Sequence, residues 1–447
     1  MTNKSNSKSG LFSSFIAVTI LFFLWGFITV LVDSLVPRLK EVFELEYWQA
    51  ALVQMAWFTA YLLVSIPGGS IIGKIGYKKG IVLGLGMIAV GCLMFYPAAG
   101  TRVYGLFLLA LFVVASGITI LQVAANPYIS VLGPKGGESS RLNLAQAFNS
   151  LGTTIAPILA ATWLLGDKIM TKDQLGEMGD EQRLNYLTEE ASQVQGPFLL
   201  LAGGVFLLMV VFLMIKLPAI LDQQKGNKTN EFIQALKHRP LVLGAIAIFL
   251  YVGAEVAIGS FLTNYFLGQQ LDTAILESES LKGLVDFISG TFGGKSLDML
   301  DSKGIVGSFL FFYWGGAMVG RFIGSYLTRV FQPSKVLSIF AFGAIALICI
   351  SMASSGLFSM WAILAVGLFN SIMFPTIFTL AIDGLGELKP QGSGILCTAI
   401  FGGAVIPFFT GIMIDQLGFA IAFLLLTGCY GYIVWYGWKM RRSVLSV

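Results

Sequence analysis

GGSIIGKIGYKKG, from Gly68 to Gly80, and GGAMVGRFIG, from Gly315 to Gly324, share the pattern Gly-Gly-x-x-x-Gly-basic at an offset of 247 residues. Further along each stretch, Gly152 and Pro157 recur as Gly402 and Pro407 at an offset of 250. Two echoes whose offsets agree this closely point to a duplicated half rather than a chance match. Between the copies, near the midpoint of the chain, the hydrophilic run LDQQKGNKTNEFIQALKHRP, Leu221 to Pro240, reads as a linker with a short amphipathic helix. The expected organisation is a first half over 1–217, a linker over 218–242 and a second half over 243–447.

Composition says what each half is made of. Of 447 residues, 56% are hydrophobic and 12% charged, with 36 Phe and a mean hydropathy of +0.81. Soluble domains carry about a quarter charged residues, so this chain has too little polar surface to coat a water-soluble body. A soluble enzyme, a nucleic-acid binder and a disordered scaffold are excluded, and the lipid bilayer is the expected surrounding. Apolar runs of about 20 residues are long enough to span a bilayer as helices. Such runs fall at roughly 12–36, 47–73, 79–99, 103–132, 141–166, 196–217, 243–269, 305–331, 336–355, 358–385, 392–415 and 419–440. The expected fold is an all-α membrane protein with twelve transmembrane helices in two pseudo-symmetric six-helix bundles. The first run starts at Leu11 and continues past residue 30 without a small-residue cleavage site, so it reads as a span and not as a signal peptide. Cys92, Cys349, Cys397 and Cys429 fall inside apolar runs without a CxxC and read as packing residues.

An even number of spans puts both termini on one side. Of the 28 Lys and Arg, nineteen fall on that side, which the positive-inside rule makes the cytoplasm. The long outer loops 167–195 and 270–304 carry acids such as Asp167, Glu177, Asp272 and Asp298 and read as part-helical caps or solvated loops. Trp48, Trp435 and Trp438 read as interfacial anchors. Duplicated six-helix halves are the architecture in which a midplane site is exposed alternately to either side.

The first glycine stretch, through Gly69, Gly73, Lys74, Gly76, Lys78 and Lys79, resembles the Gly-x-x-x-acid-basic-x-Gly-basic-basic signature of the major facilitator superfamily. It departs at Gly73, where most members have an acid. More specific are FFLWGFITVLVDSLVP (Phe22–Pro37), LQVAANPYISVLGP (Leu121–Pro134), RLNLAQAFNSLG (Arg141–Gly152) and YVGAEVAIGSFLTNYF (Tyr251–Phe266). Together these resemble the fucose/glucose/galactose cation symporter branch over nearly the whole chain. The fucose pattern has an acid where this sequence has Gln122 and a Gln where it has Glu255, so the resemblance favours the glucose/galactose-type members. It implies a cation-coupled hexose importer of the inner membrane, with a glucose-, galactose- or mannose-like substrate and no cofactor beyond a co-transported proton or sodium ion. The monomer is expected to suffice. Gly69, Lys74, Lys78, Lys79 and Arg321 are its expected gating residues, where the halves meet on the cytoplasmic side.

Two carboxylates stand within apolar runs. Asp33 follows Thr29 and Trp25 at four-residue spacing, on one helix face. An ionised carboxylate there costs several kcal/mol, so it must face a cavity, be paired or be protonated, and the resemblance implies an essential acid at this position. The alternative is contact with interfacial water. Aligning Phe23–Trp25 with Phe249–Tyr251, offset 226, puts Glu255 opposite Thr29, one turn after Tyr251. It is expected to couple the ion or bind the sugar, or else to sit hydrogen-bonded to a neighbouring helix without titrating. Gly253 and Gly259 flank it and predict an unwound segment in the seventh span. Apolar neighbours Leu31, Val32 and Leu35 lean the ion toward a proton, although Thr29, Ser34 and backbone carbonyls offer oxygens to sodium.

A hexose asks for groups that both donate and accept, as amides do. Gln122 and Asn126 lie four apart in the fourth span; Asn143, Gln146, Asn149 and Thr153 run down the fifth; Gln54, Trp57, Phe58 and Tyr61 form a stripe in the second. From the second half come Tyr251, Asn264, Trp314 and Asn370. The alternative is that some of these amides only knit helices together, at about 0.6 kcal/mol each, Asn143 above all.

An enzyme lacks support: His238 is the one histidine, and there is no HExxH motif or nucleotide-binding loop. A channel is disfavoured by the different polar inventories of the halves. Within transporters the rival is a drug/proton antiporter, whose pocket would be aromatic and acidic where this one is rich in amides.

Overall fold

The computed structural model describes residues 2–33, 47–101, 103–163, 178–215, 217–218, 228–293 and 296–444. Among these, every regular element is helical. The first half holds α1 (Thr2–Asp33), α2 (Tyr47–Ile75), α3 (Tyr77–Thr101), α4 (Tyr104–Val131), α5 (Glu138–Trp163) and α6 (Asp180–Met214). The linker contributes the nine-residue helix Lys228–Leu236. The second half holds α7 (Arg239–Gly268), α8 (Leu310–Val330, preceded by Ser302–Gly307), α9 (Pro333–Ala353) and α10 (Gly356–Asn370 and Met373–Ile382). α11 begins at Lys389–Thr398 and runs through a 3-10 turn, Ala399–Phe401, into the helix Gly402–Val444, which Gly418 breaks at φ 80°; residues 419–444 are α12. Ten described stretches are long and apolar enough to cross a bilayer. One of them holds both α11 and α12, and α5 completes the twelve.

Lipid is as apolar as leucine, so packing rather than water exclusion holds such helices together. Small residues that let backbones approach therefore mark the contacts. A Cβ on Gly152 of α5 would collide with the carbonyl oxygen of Phe23 on α1, and a Cβ on Gly402 of α11 would collide with that of Phe249 on α7. Both partners obey the repeat, so α1 against α5 and α7 against α11 are the same contact made twice. Across the halves α5 packs against α8 and α2 against α11, the exchange that a pseudo-two-fold between α2 and α8, and between α5 and α11, demands.

The halves touch most closely on the side that carries the termini. There the Ser139 and Thr379 hydroxyls lie 2.6 Å apart, Asn143 Nδ2 donates to Thr376 Oγ1 (3.2 Å), and Ser393 Oγ donates to the Val123 carbonyl (2.9 Å). Gly69 belongs to this contact: a Cβ there would stand 2.7 Å from the Pro390 carbonyl oxygen. Asn143 thus knits the two halves.

The expected break in the seventh span does not occur. α7 is an uninterrupted helix, because Gly253 and Gly259 serve close packing, Gly253 against Ile406 and Gly259 with its Cβ position 2.9 Å from the Trp314 ring. The helix interruptions fall instead before α8, at Ser371–Ile372 in α10 and at Ala399–Phe401 in α11.

Candidate functional site

On the side away from the termini the halves part. A cavity of about 720 Å³ lies between α1, α5, α7 and α8, with Ile288, Ser289 and Phe292 of the helix Glu279–Gly293 at its mouth. Deeper, at the level of Gln146 and Tyr251, is a second cavity of about 150 Å³. Its walls come from both halves: Trp25, Tyr61, Gln122 and Gln146 from the first, Tyr251 and Phe374 among those from the second. Glu255 and Arg321 line both cavities and form the neck between them.

The helices aim these groups by their spacing. Gln146, Asn149 and Thr153 lie on one face of α5, and that face meets the cavities: Gln146 the small one, Asn149 and Thr153 the large one. Asn149 Nδ2 donates to the Phe22 carbonyl (2.8 Å), which fixes the amide between α5 and α1. Gln122 Nε2 donates to the Tyr61 hydroxyl oxygen, joining α4 to α2. Arg321 Nε donates to the Ser371 carbonyl (3.2 Å), at the interruption of α10. Its Nη1 donates to the Gln146 carbonyl (3.3 Å) and to Ser150 Oγ, both on α5. A carboxylate, a guanidinium, two amides and aromatic faces therefore surround one small volume. Such a set offers donors, acceptors and flat apolar surface together, which suits a neutral polyol with a hydroxyl rim and a C–H face.

The residues singled out from the sequence divide. Gln122, Gln146, Asn149, Tyr251, Trp314 and Glu255 line the cavities. Gln54 is exposed on the outer part of α2, while Trp57 and Tyr61, one and two turns deeper, are buried; Tyr61 lines the small cavity, and Gln54 and Trp57 line neither of the two described. Asn126 is fully buried one turn beyond Gln122, on the closed side of the cavity floor, with neither amide atom hydrogen-bonded. Asn264 is exposed near the far end of α7. Asn370 lies behind the cavity wall, donating from Nδ2 to the Tyr313 hydroxyl (2.8 Å). Asp33 is the last described residue of α1, and its side chain lies outside the described residues.

The gating set divides as well. Lys78 Nζ donates to the Leu213 carbonyl (2.9 Å) and so braces the end of α6 within the first half. Lys74 and Lys79 are exposed at the terminal side. Arg321 is not at the helix end: it lies nine residues before Val330, about 14 Å along the axis, at the neck of the cavities. Arg329 and Lys335, which already mark that end of the span, are the sequence signal that Arg321 lies inside it. Ser150, which accepts from Arg321, was not singled out from the sequence, although it follows Gln146 by one turn.

Known proteins match this arrangement over almost its full length. A model of the Major Facilitator Superfamily matches residues 9–406. The chain is 46% identical over 421 residues to the glucose/galactose transporter of Brucella abortus biovar 1 (strain 9-941), covering 94% of this chain and 92% of that protein. It is 41% identical over 428 residues to the putative glucose/galactose transporter of Helicobacter pylori (strain ATCC 700392 / 26695), 95% of each chain. To the L-fucose-proton symporter of Escherichia coli (strain K12) it is 33% identical over 404 residues, 89% of this chain and 86% of that one. The crystal structure of the transporter FucP in the outward conformation superposes with a TM-score of 0.84 at 31% identity, covering 96% of this chain and 99% of FucP. With twelve spans in two halves and identity sustained along both, the chain belongs to the Major Facilitator Superfamily, in its fucose/glucose/galactose branch, and is a transporter and not an enzyme.

Proposed function

We propose that the protein carries a hexose of the glucose/galactose type into the cell together with a proton, by rocking residues 1–217 against 243–447 about the central cavity while 218–242 links them. The observation that carries this reading is the small cavity, where Gln122, Gln146, Glu255 and Arg321 meet from both halves beneath the larger one. The names of the relatives at 46% and 41% identity support the sugar, and that of the relative at 33% supports the proton. The excess of Lys and Arg on the terminal side supports cytoplasmic termini in an inner membrane, so the conformation described here faces outward.

In this reading Gln122, Gln146 and Asn149 hydrogen-bond the sugar, with Trp25, Tyr61 and Trp314 offering ring faces. Glu255 and Asp33 carry the coupled proton. Arg321 ties α8 to α5 and α10 while the inner side is closed, and a sugar hydroxyl entering the neck competes for those bonds. The monomer contains the whole site.

Purified protein in liposomes tests the reading. Labelled glucose and galactose should accumulate against their gradient when an inward proton gradient is imposed at constant sodium. Accumulation driven by sodium at constant pH, without response to a proton gradient, would reject the proton; the absence of hexose counterflow would reject the substrate.

A further inference from the structure

Behind Glu255, within the second half, four side chains from four helices converge. Tyr251 precedes it by one turn on α7, Tyr313 comes from α8, Asn370 from α10 and Tyr430 from α12, and each is at most 1% exposed. Asn370 Nδ2 donates to the Tyr313 hydroxyl (2.8 Å), which donates in turn to the Glu255 backbone carbonyl (3.2 Å). That chain fixes the direction of the amide and leaves Asn370 Oδ1 without a donor. The Tyr251 and Tyr430 hydroxyls are also buried without a partner at hydrogen-bond geometry. Yet Tyr251 stands next to the Glu255 carboxylate, and Tyr430 stands beside Asn370 and within electrostatic range of Glu255. Tyr251 lines the small cavity, while Tyr313, Asn370 and Tyr430 are not among the residues lining either of the two cavities described above.

We infer that Tyr251, Asn370 and Tyr430 form with Glu255 a proton-holding pocket in the second half, set behind the cavity wall. The inference rests on the reading of Glu255 as a coupling group. Its chemistry follows from the residue types. A hydroxyl donates to an ionised carboxylate and accepts from a protonated one, so two tyrosines satisfy both states of Glu255. Asn370 Oδ1, held in place through Tyr313, is set to accept a hydrogen bond from the Tyr430 hydroxyl, which turns the Tyr430 oxygen toward the carboxyl group as an acceptor. One proton adds to the carboxylate from the cavity side and leaves by the same oxygen, with no other bond changed. Among the described residues the charged group facing Glu255 is Arg321 from α8; α10, α11, α5 and α1 present Phe374, Ile400, Gln146 and Trp25, all neutral. Asn370 and Tyr430 act through Glu255 and are positioning residues.

The test uses Tyr430→Phe in liposomes, with Tyr436→Phe as control, since Tyr436 is another buried and unpartnered hydroxyl on α12. Tyr430→Phe should keep parental sugar counterflow, while the alkaline midpoint of proton-driven uptake moves down by about one pH unit, as expected for loss of one acceptor for the protonated carboxyl group. Tyr436→Phe should leave that midpoint unmoved. An unshifted profile in Tyr430→Phe, or an equal shift in both variants, overturns the pocket. Glu255→Gln separates the two ideas: if it still concentrates sugar, the coupling role of Glu255 fails; if it uncouples while Tyr430→Phe keeps the parental profile, only the pocket fails.

Discussion

Arg321 on α8 donates to the backbone carbonyl of Gln146 on α5 at 3.3 Å, joining the two halves at the point where the cavities meet. The same turn of α5 presents the Gln146 side chain to the small cavity and the Ser150 hydroxyl to Arg321. Substrate site and inter-half tie are therefore one piece of structure, and a ligand at Gln146 acts directly on the contact that must break for the inner side to open.

Replacing Arg321 should loosen that tie. Hydrogen bonds to a charged group are worth about 1.5–3 kcal/mol each, so Arg321→Gln should raise the inward-open population roughly 10-fold or more. Thiol probes placed along the terminal side of α5 and α8 should label faster in the variant. Labelling at the parental rate would contradict the tie.

Sugar affinity should depend on the three cavity amides. Alanine at Gln122, Gln146 or Asn149 leaves a sugar hydroxyl or its protein partner unsatisfied, at about 1–3 kcal/mol, which is roughly 5- to 150-fold in Kd. Gln54→Ala, at an exposed position, should bind normally. Equilibrium binding to folded protein in detergent reads both; parental affinity in all three cavity variants would move the site elsewhere.

Coupling should be separable from binding at the carboxylates. Glu255→Gln and Asp33→Asn keep side-chain shape while removing the charge, so each should lose gradient-driven accumulation and retain sugar counterflow. Full concentrative uptake by either variant would remove that residue from the coupling step.

The repeated glycine contact should matter for stability. Gly402→Ala pushes a Cβ into the Phe249 carbonyl and forces α7 from α11, an overpacking cost of about 1–3 kcal/mol. Gly428→Ala, where a Cβ meets nothing within 4 Å, should unfold at the parental temperature. Thermal unfolding of the two purified variants distinguishes a packing role from a general loss of glycine, and equal Tm values would refute it.

How much of this was legible in the chain follows from how local each signal is. Membrane character, the number of spans and the division into halves come from hydropathy runs and from comparing the chain with itself, and neither needs a neighbour in space. Residue spacing likewise placed Gln146 and Asn149 on one face of α5, and the 226-residue alignment matched Phe23 with Phe249 before either was seen to meet its glycine. What the spacing left open was rotation and depth. Gln122 and Asn126 share a face of α4, yet only Gln122 reaches the cavity, because the floor closes between them. Gln54 lies on the stripe of Tyr61 but too far out on α2, and Arg321, paired by the repeat with Lys74 at a helix end, sits at the neck. In a bilayer the side of a helix that faces lipid is as apolar as the side that faces protein, so no hydrophobic stripe announces which way the helix turns. That orientation is set by contacts between segments some 250 residues apart, such as α5 against α8, and the tertiary structure alone decided them.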